Sequence, residues 1–132
     1  MKHLKDYYHN RRKLKALKYE QGKFKPKIRD IKKWFDILNE QIFSNKLPPF
    51  SKIRLIKEEG IYAFYCYWHK RKAKESELEM SKKFKTKKVF VEILAHEMIH
   101  HYQHLHKEPV GHGPSFTAWR DNLKLRGLEL IG

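Results

Sequence analysis

The sequence predicts an α+β domain in which helices pack on a small antiparallel β-sheet around one buried central helix. Three observations predict it: apolar residues recur at three- and four-residue steps over 28–43, two runs rich in β-formers fill 52–68, and the stretch 89–99 is apolar on nearly every face. A chain of 132 residues has the length of about one domain. We therefore expect a basic N-terminal arm over residues 1–27 and a single domain over 28–132.

The arm is set apart by charge. Residues 1–33 carry 13 Lys and Arg against Asp6, Glu20 and Asp30. Leu4, Tyr7, Tyr8, Leu14, Leu17 and Tyr19 give it partial helical periodicity, and Gly22 with Pro26 separates it from the rest of the chain. Next, Ile31, Trp34, Phe35, Leu38, Ile42 and Phe43 form one face of an amphipathic helix over 28–43, which Pro48-Pro49 must terminate. Residues 52–57 and 61–68, separated by Glu58-Glu59-Gly60, read as a β-hairpin, with a third strand around 76–80. Residues 89–105 form the buried central helix, and a last helix starts at Pro114 with Phe116, Trp119 and Leu123 on one face and Gly127 as its stop.

Composition excludes several function classes. The mean hydropathy is −0.82, and no apolar run approaches the roughly 20 residues that cross a bilayer. The charged opening has no apolar core of a secretory leader. A cytoplasmic monomer is expected, or one at the nucleoid or in the nucleus if it associates with DNA. The single cysteine, Cys66, can form neither an intrachain disulfide nor a Cys-rich zinc knuckle.

The formal charge of +15 draws the chain toward polyanions. Nucleic acid is the expected partner, through the arm and through residues 69–88, which hold nine basic and three acidic residues. Tyr62, Phe64, Tyr65, Tyr67 and Trp68 lie beside the basic turn 69–74, where aromatic rings could stack on unpaired bases, which favours single-stranded DNA; two-sided packing of a central strand explains the same residues.

Histidine carries the chemistry. Six of nine fall between His96 and His112, and His96-Glu97-Met98-Ile99-His100 reads H-E-x-x-H on a helix. Positions four apart share a helix face, so two imidazoles can grip one zinc ion while the adjacent Glu97 reaches its water. A third ligand is needed. His112, between Gly111 and Gly113, lies past a turn that lets the chain swing back. Asp121 and Glu129 are carboxylate alternatives, and His106 a further imidazole, although Gln103 stands where a helix-ending glycine would be needed to turn His106 inward. His101 and His104 fall outside the motif, as surface residues or as donors to the ligands.

The two runs His96-Glu97-Met98-Ile99-His100 and Gly111-His112-Gly113-Pro114-Ser115-Phe116 resemble the HEMIH and GHGPEF signatures of the SprT-like metallopeptidases, which include the Spartan proteases that digest proteins crosslinked to DNA. Ser115 stands at the family's Glu position, and the stretch from Phe35 to Pro48 is similar to the family's segment before its first strand. The resemblance covers residues 28–127. It implies a zincin-like fold, one zinc ion held by His96, His100 and His112, and Glu97 as catalytic base in the hydrolysis of proteins bound or crosslinked to DNA. The rival reading is a non-catalytic nucleic-acid-binding module whose zinc is structural, against which an intact Glu97 stands.

Overall fold

A computed structural model describes residues 2–57, 63–67 and 76–131. The first two helices are α1 (Lys2–Ala16), continued by a 3-10 turn over Leu17–Tyr19, and α2 (Ile28–Phe43). Burial of Leu14 and Leu17 seats the basic N-terminal segment on the common core. Two polar contacts reinforce the seat: Asn10 Nδ2 donates to Glu40 Oε1 at 2.9 Å, and Gln41 Nε2 donates to the Tyr7 carbonyl at 2.9 Å.

α2 starts where Asp30 accepts a hydrogen bond from the Lys27 N–H at 2.8 Å, and it buries the apolar stripe seen in the sequence. Its end is not made by the prolines. The helix stops at Phe43, where Ser44 and Asn45 take the left-handed conformation, well before Pro48. Asn39 then holds the departing chain: its Nδ2 donates to the Leu47 carbonyl at 2.8 Å and its Oδ1 accepts from the Leu47 N–H at 3.1 Å.

The sheet corrects both the hairpin and the antiparallel expectation. β1 (Lys52–Ile56), β2 (Ala63–Tyr67) and β3 (Ser76–Ser81) lie in the order β1-β3-β2. β3 runs parallel to β1, from Lys52 opposite Glu77 to Ile56 opposite Ser81, and antiparallel to β2, from Ala63 opposite Met80 to Tyr67 opposite Ser76. The reason is burial. Ser76, Glu77, Leu78 and Met80 are all buried, so β3 takes the middle, whereas β1 alternates exposed and half-buried positions as an edge does. Adjacency in sequence favoured the hairpin, and two-sided burial overrode it. Tyr62, Trp68, the turns at 58–60 and 69–74 and the side chains of β2 lie outside the described residues.

α3 (Lys87–Leu105) begins under an N-cap: Thr86 Oγ1 accepts from the Val89 N–H at 3.2 Å. It is buried on nearly all sides through Phe90, Val91, Ile93, Leu94, Ala95, Met98 and Ile99, with α2 on one flank and β2 on another. His101 is fully buried and donates from Nε2 to the Pro48 carbonyl at 2.8 Å, so it is not a surface residue. The final helix is split into α4 (Pro114–Thr117) and α5 (Arg120–Leu125). Gly127, at φ 76, ends α5 as the N–H of Leu128 reaches the Leu123 carbonyl at 3.0 Å and that of Gly127 reaches Lys124 at 3.0 Å.

Because Asn39 holds the segment whose Pro48 carbonyl anchors α3, Asn39→Ala should leave both Leu47 backbone groups unpaired in the interior. The expected loss is about 2–4 kcal/mol, read as a lower urea midpoint at unchanged m. A change below about 0.5 kcal/mol would mean that water or a local shift satisfies Leu47 as well as the amide does.

Candidate metal centre

His96 and His100 occupy one face of α3, a turn apart, and the loop after α3 carries His112 back to them. His100 Nε2 stands 3.1 Å from His96 Nε2, and His112 Nε2 stands 3.1 Å from His96 Nε2. Ligating atoms of all three lie within 4.8 Å of one another. Three nitrogens held at about 2.0–2.1 Å from one tetrahedral zinc would stand about 3.3–3.4 Å apart, so the spacing fits a single ion.

The hydrogen bonds on the far side of each ring decide what faces the centre. Gln103 Oε1 accepts from the Gly111 N–H at 3.3 Å and Gln103 Nε2 donates to the Gly111 carbonyl at 3.1 Å, which fixes the orientation of the amide. Oε1 is then an acceptor toward His100 Nδ1 at 2.9 Å, so Nδ1 carries the proton and Nε2 presents a bare lone pair. His96 Nδ1 likewise donates to the Ile131 carbonyl. Two lone pairs therefore face each other across a short gap, an arrangement that repels by itself and is relieved by a cation between them.

Burial sharpens the effect. It holds the His96 imidazole down to about 4 and lowers His100 below the ordinary histidine value, with the neighbouring imidazoles adding to both shifts. Both rings are neutral near pH 7, as ligation requires. Phe116 forms an apolar wall, its ring centroid 4.8 Å from His96, 5.3 Å from His100 and 4.8 Å from His112. His112 itself is exposed, so the cluster opens to solvent on that side. Three imidazoles suit zinc among the common divalent ions.

Glu97 sits beside the cluster, its Oε2 3.5 Å from His96 Nε2. Burial pushes its carboxyl up to about 7, which turns an ordinary acid into a group that can take and release a proton near neutrality.

The other candidates lie elsewhere. His106 caps α3 with its ring stacked on Tyr102 at 3.8 Å, and Asp121 and Glu129 are exposed outside the cluster. What sequence reading missed is the support: Gln103, Phe116 as a wall, and the Ile131 carbonyl. Gln103 could have been found from its three-residue spacing after His100; a backbone carbonyl 35 residues away leaves no signal. The segment bearing that carbonyl is pinned by Glu92, whose Oε2 accepts from the Glu129 N–H at 2.6 Å and from Lys88 Nζ at 3.0 Å.

Comparison with known proteins adds one finding. The sequence model of the SprT-like family matches residues 31–130. No curated protein matches the chain.

The buried carboxyl makes a test of the geometry. The folded chain holds a proton on Glu97 that the unfolded chain releases from about 4.5 upward, so this group's contribution to stability is full below about 4.5 and is lost as pH rises through about 7. In chelator, Glu97→Gln should match the parent chain near about pH 5 and exceed it by roughly 1–3 kcal/mol near about pH 8. Equal unfolding free energies at the higher pH would show that the carboxyl is well solvated.

Proposed function

The chain belongs to the SprT-like family, and from that premise we propose that it is a zinc-dependent metalloendopeptidase of zincin-like architecture, acting on proteins bound or crosslinked to DNA. The observation that carries the reading is the convergence of three imidazoles on one point with a proton-accepting carboxyl beside them. His96, His100 and His112 would hold the ion. The chemistry supplied by zinc held there is Lewis acidity toward a peptide carbonyl and toward water.

The chain's own residues do the rest. Glu97 takes the proton of the attacking water as its oxygen bonds to the carbonyl carbon, and returns that proton to the departing amine nitrogen as the C–N bond breaks. Phe116 excludes water from the inner side, while the exposed His112 leaves the outer side open for a polypeptide. A purely structural site requires ligands but no base, so the buried carboxyl of Glu97 favours the enzyme over a non-catalytic zinc module.

For the nucleic-acid partner the support is electrostatic. An antiparallel bridge joins Phe24 to Phe84 through hydrogen bonds of 2.9 and 2.8 Å, with both rings turned in against Phe90. The flanking Lys23, Lys25, Lys83 and Lys85 are left exposed together. Lys23 and Lys25 hold the Lys83 amine below its usual value, the mark of unneutralised like charge. A phosphodiester backbone supplies the missing counter-charge.

Three outcomes test this reading. Zinc should bind once per chain, with affinity falling sharply in His112→Ala and not in His106→Ala; loss in both or in neither removes His112 from the ligand set. Glu97→Gln should keep zinc and lose about 10²–10⁴-fold in cleavage of a DNA-binding protein assayed with single-stranded DNA, and near-parental turnover would favour the non-catalytic module. Lys25→Glu with Lys83→Glu should weaken single-strand binding and flatten its logarithmic salt slope by about 1.4, whereas an unchanged slope would place the phosphate contacts elsewhere.

A further inference from the structure

Gln103 is fully buried on α3, one turn beyond His100 and facing the same way. Its side-chain amide makes four hydrogen bonds. Oε1 accepts from His100 Nδ1 at 2.9 Å and from the Gly111 N–H at 3.3 Å, and Nε2 donates to the Gly111 carbonyl at 3.1 Å and to Ser115 Oγ at 2.9 Å. No polar capacity of the amide is spent on solvent, and its partners lie on both sides of His112.

We propose that Gln103 is a positioning residue that sets two metal ligands at once, locking the tautomer and angle of His100 while docking the 111–115 segment that presents His112 to the same centre.

The argument is one of preorganisation. His96 and His100 share a rigid helix, so their separation is given by α3. His112 stands on an exposed turn between two glycines, and a ligand on such a turn must give up its freedom when it binds an ion. Gln103 removes much of that freedom beforehand by pairing both polar groups of Gly111, the residue directly before His112, and by catching Ser115 three residues after it. The same amide oxygen also holds the proton on His100 Nδ1, which frees Nε2 for the ion. A buried side chain serving only the fold has no reason to join a ligand's far nitrogen to the loop of a second ligand.

This inference rests on the metal-site reading but not on proteolysis, and its experiment reads metal binding. Gln103→Leu puts an apolar side chain of similar size in the interior and deletes all four bonds. Zinc affinity, measured by competition with a chromophoric chelator, should fall about 10–100-fold, and the visible absorption of the cobalt(II)-loaded chain should change in shape, reporting an altered ligand set. Gln103→Glu, which keeps both acceptor bonds but loses the two donor bonds to the 111–115 segment, should recover only part of the lost zinc affinity. In a His112→Ala background, Gln103→Leu should cost less than in the parent, because the docking half of its role is already gone.

A purely structural role would lower the melting temperature of the metal-free chain and leave affinity and spectrum unchanged; that result overturns the proposal. If Gln103→Leu fails to fold, Ser115→Ala decides. It removes one loop contact from the protein surface, and it should lower zinc affinity several-fold at an unchanged metal-free melting temperature. Unchanged affinity refutes the docking role. A chain that binds zinc as proposed but cleaves nothing refutes the peptidase reading and leaves the positioning role intact, and a chain whose zinc affinity is indifferent to His96→Ala refutes the site itself.

Discussion

Two imidazole lone pairs aimed at each other across 3.1 Å are the constraint on which the rest of this structure depends. Nothing in the rings themselves favours that arrangement. It is imposed from behind, by acceptors that hold a proton on each Nδ1: the Gln103 amide for His100 and the Ile131 carbonyl for His96. An ion placed between them would replace that repulsion with ligation, for which both lone pairs are already aimed. The desolvation that keeps His96 and His100 neutral serves the same end, since protons compete with metal for the same lone pairs.

Holding the acceptors in place is the task of the fold. α3 is buried almost all round, so its face toward the cluster cannot rotate without disrupting packing against α2 and the sheet. A second fixed point is His101, next to His100 yet pointed the other way, into the Pro48 carbonyl and against the Phe50 ring at 4.6 Å. Adjacent helix positions lie about 100° apart, so anchoring His101 sets the azimuth of His100. Pro48 is in turn held through Leu47 by Asn39, which ties the ligand face to the end of α2.

Legibility followed the range of the forces involved. The central helix, read from the sequence over 89–105 and observed from Lys87, and the shared face of His96 and His100 are visible in sequence because hydrophobic periodicity and four-residue spacing are local. The stop at Gly127 is visible because a left-handed turn favours glycine. The sheet order is not: Glu77 and Glu79 make the third strand look like a polar edge, while burial puts it in the centre, with Glu77 reaching Arg54 at 3.5 Å across the sheet. His112 could be singled out by its flanking glycines, but nothing in the sequence reveals that Gln103 pins that turn. Ser115, which departs from the resembled signature, has a partner in the structure that explains it: the Gln103 amide.

The supports of the three imidazoles come from very different distances along the chain. His100 leans on a residue three positions away, the His112 loop on one 8 to 12 away, and His96 on a carbonyl 35 away. The first forms with the helix itself, the second once the chain turns after α3, and the third only when the segment after Gly127 lies back along α3 under the grip of Glu92 and the buried Leu128. Loop closure costs most for the longest of these contacts. The three-imidazole cluster is therefore fully supported only when that last segment is in place, so an ion held there would tie its affinity to the stability of the whole fold.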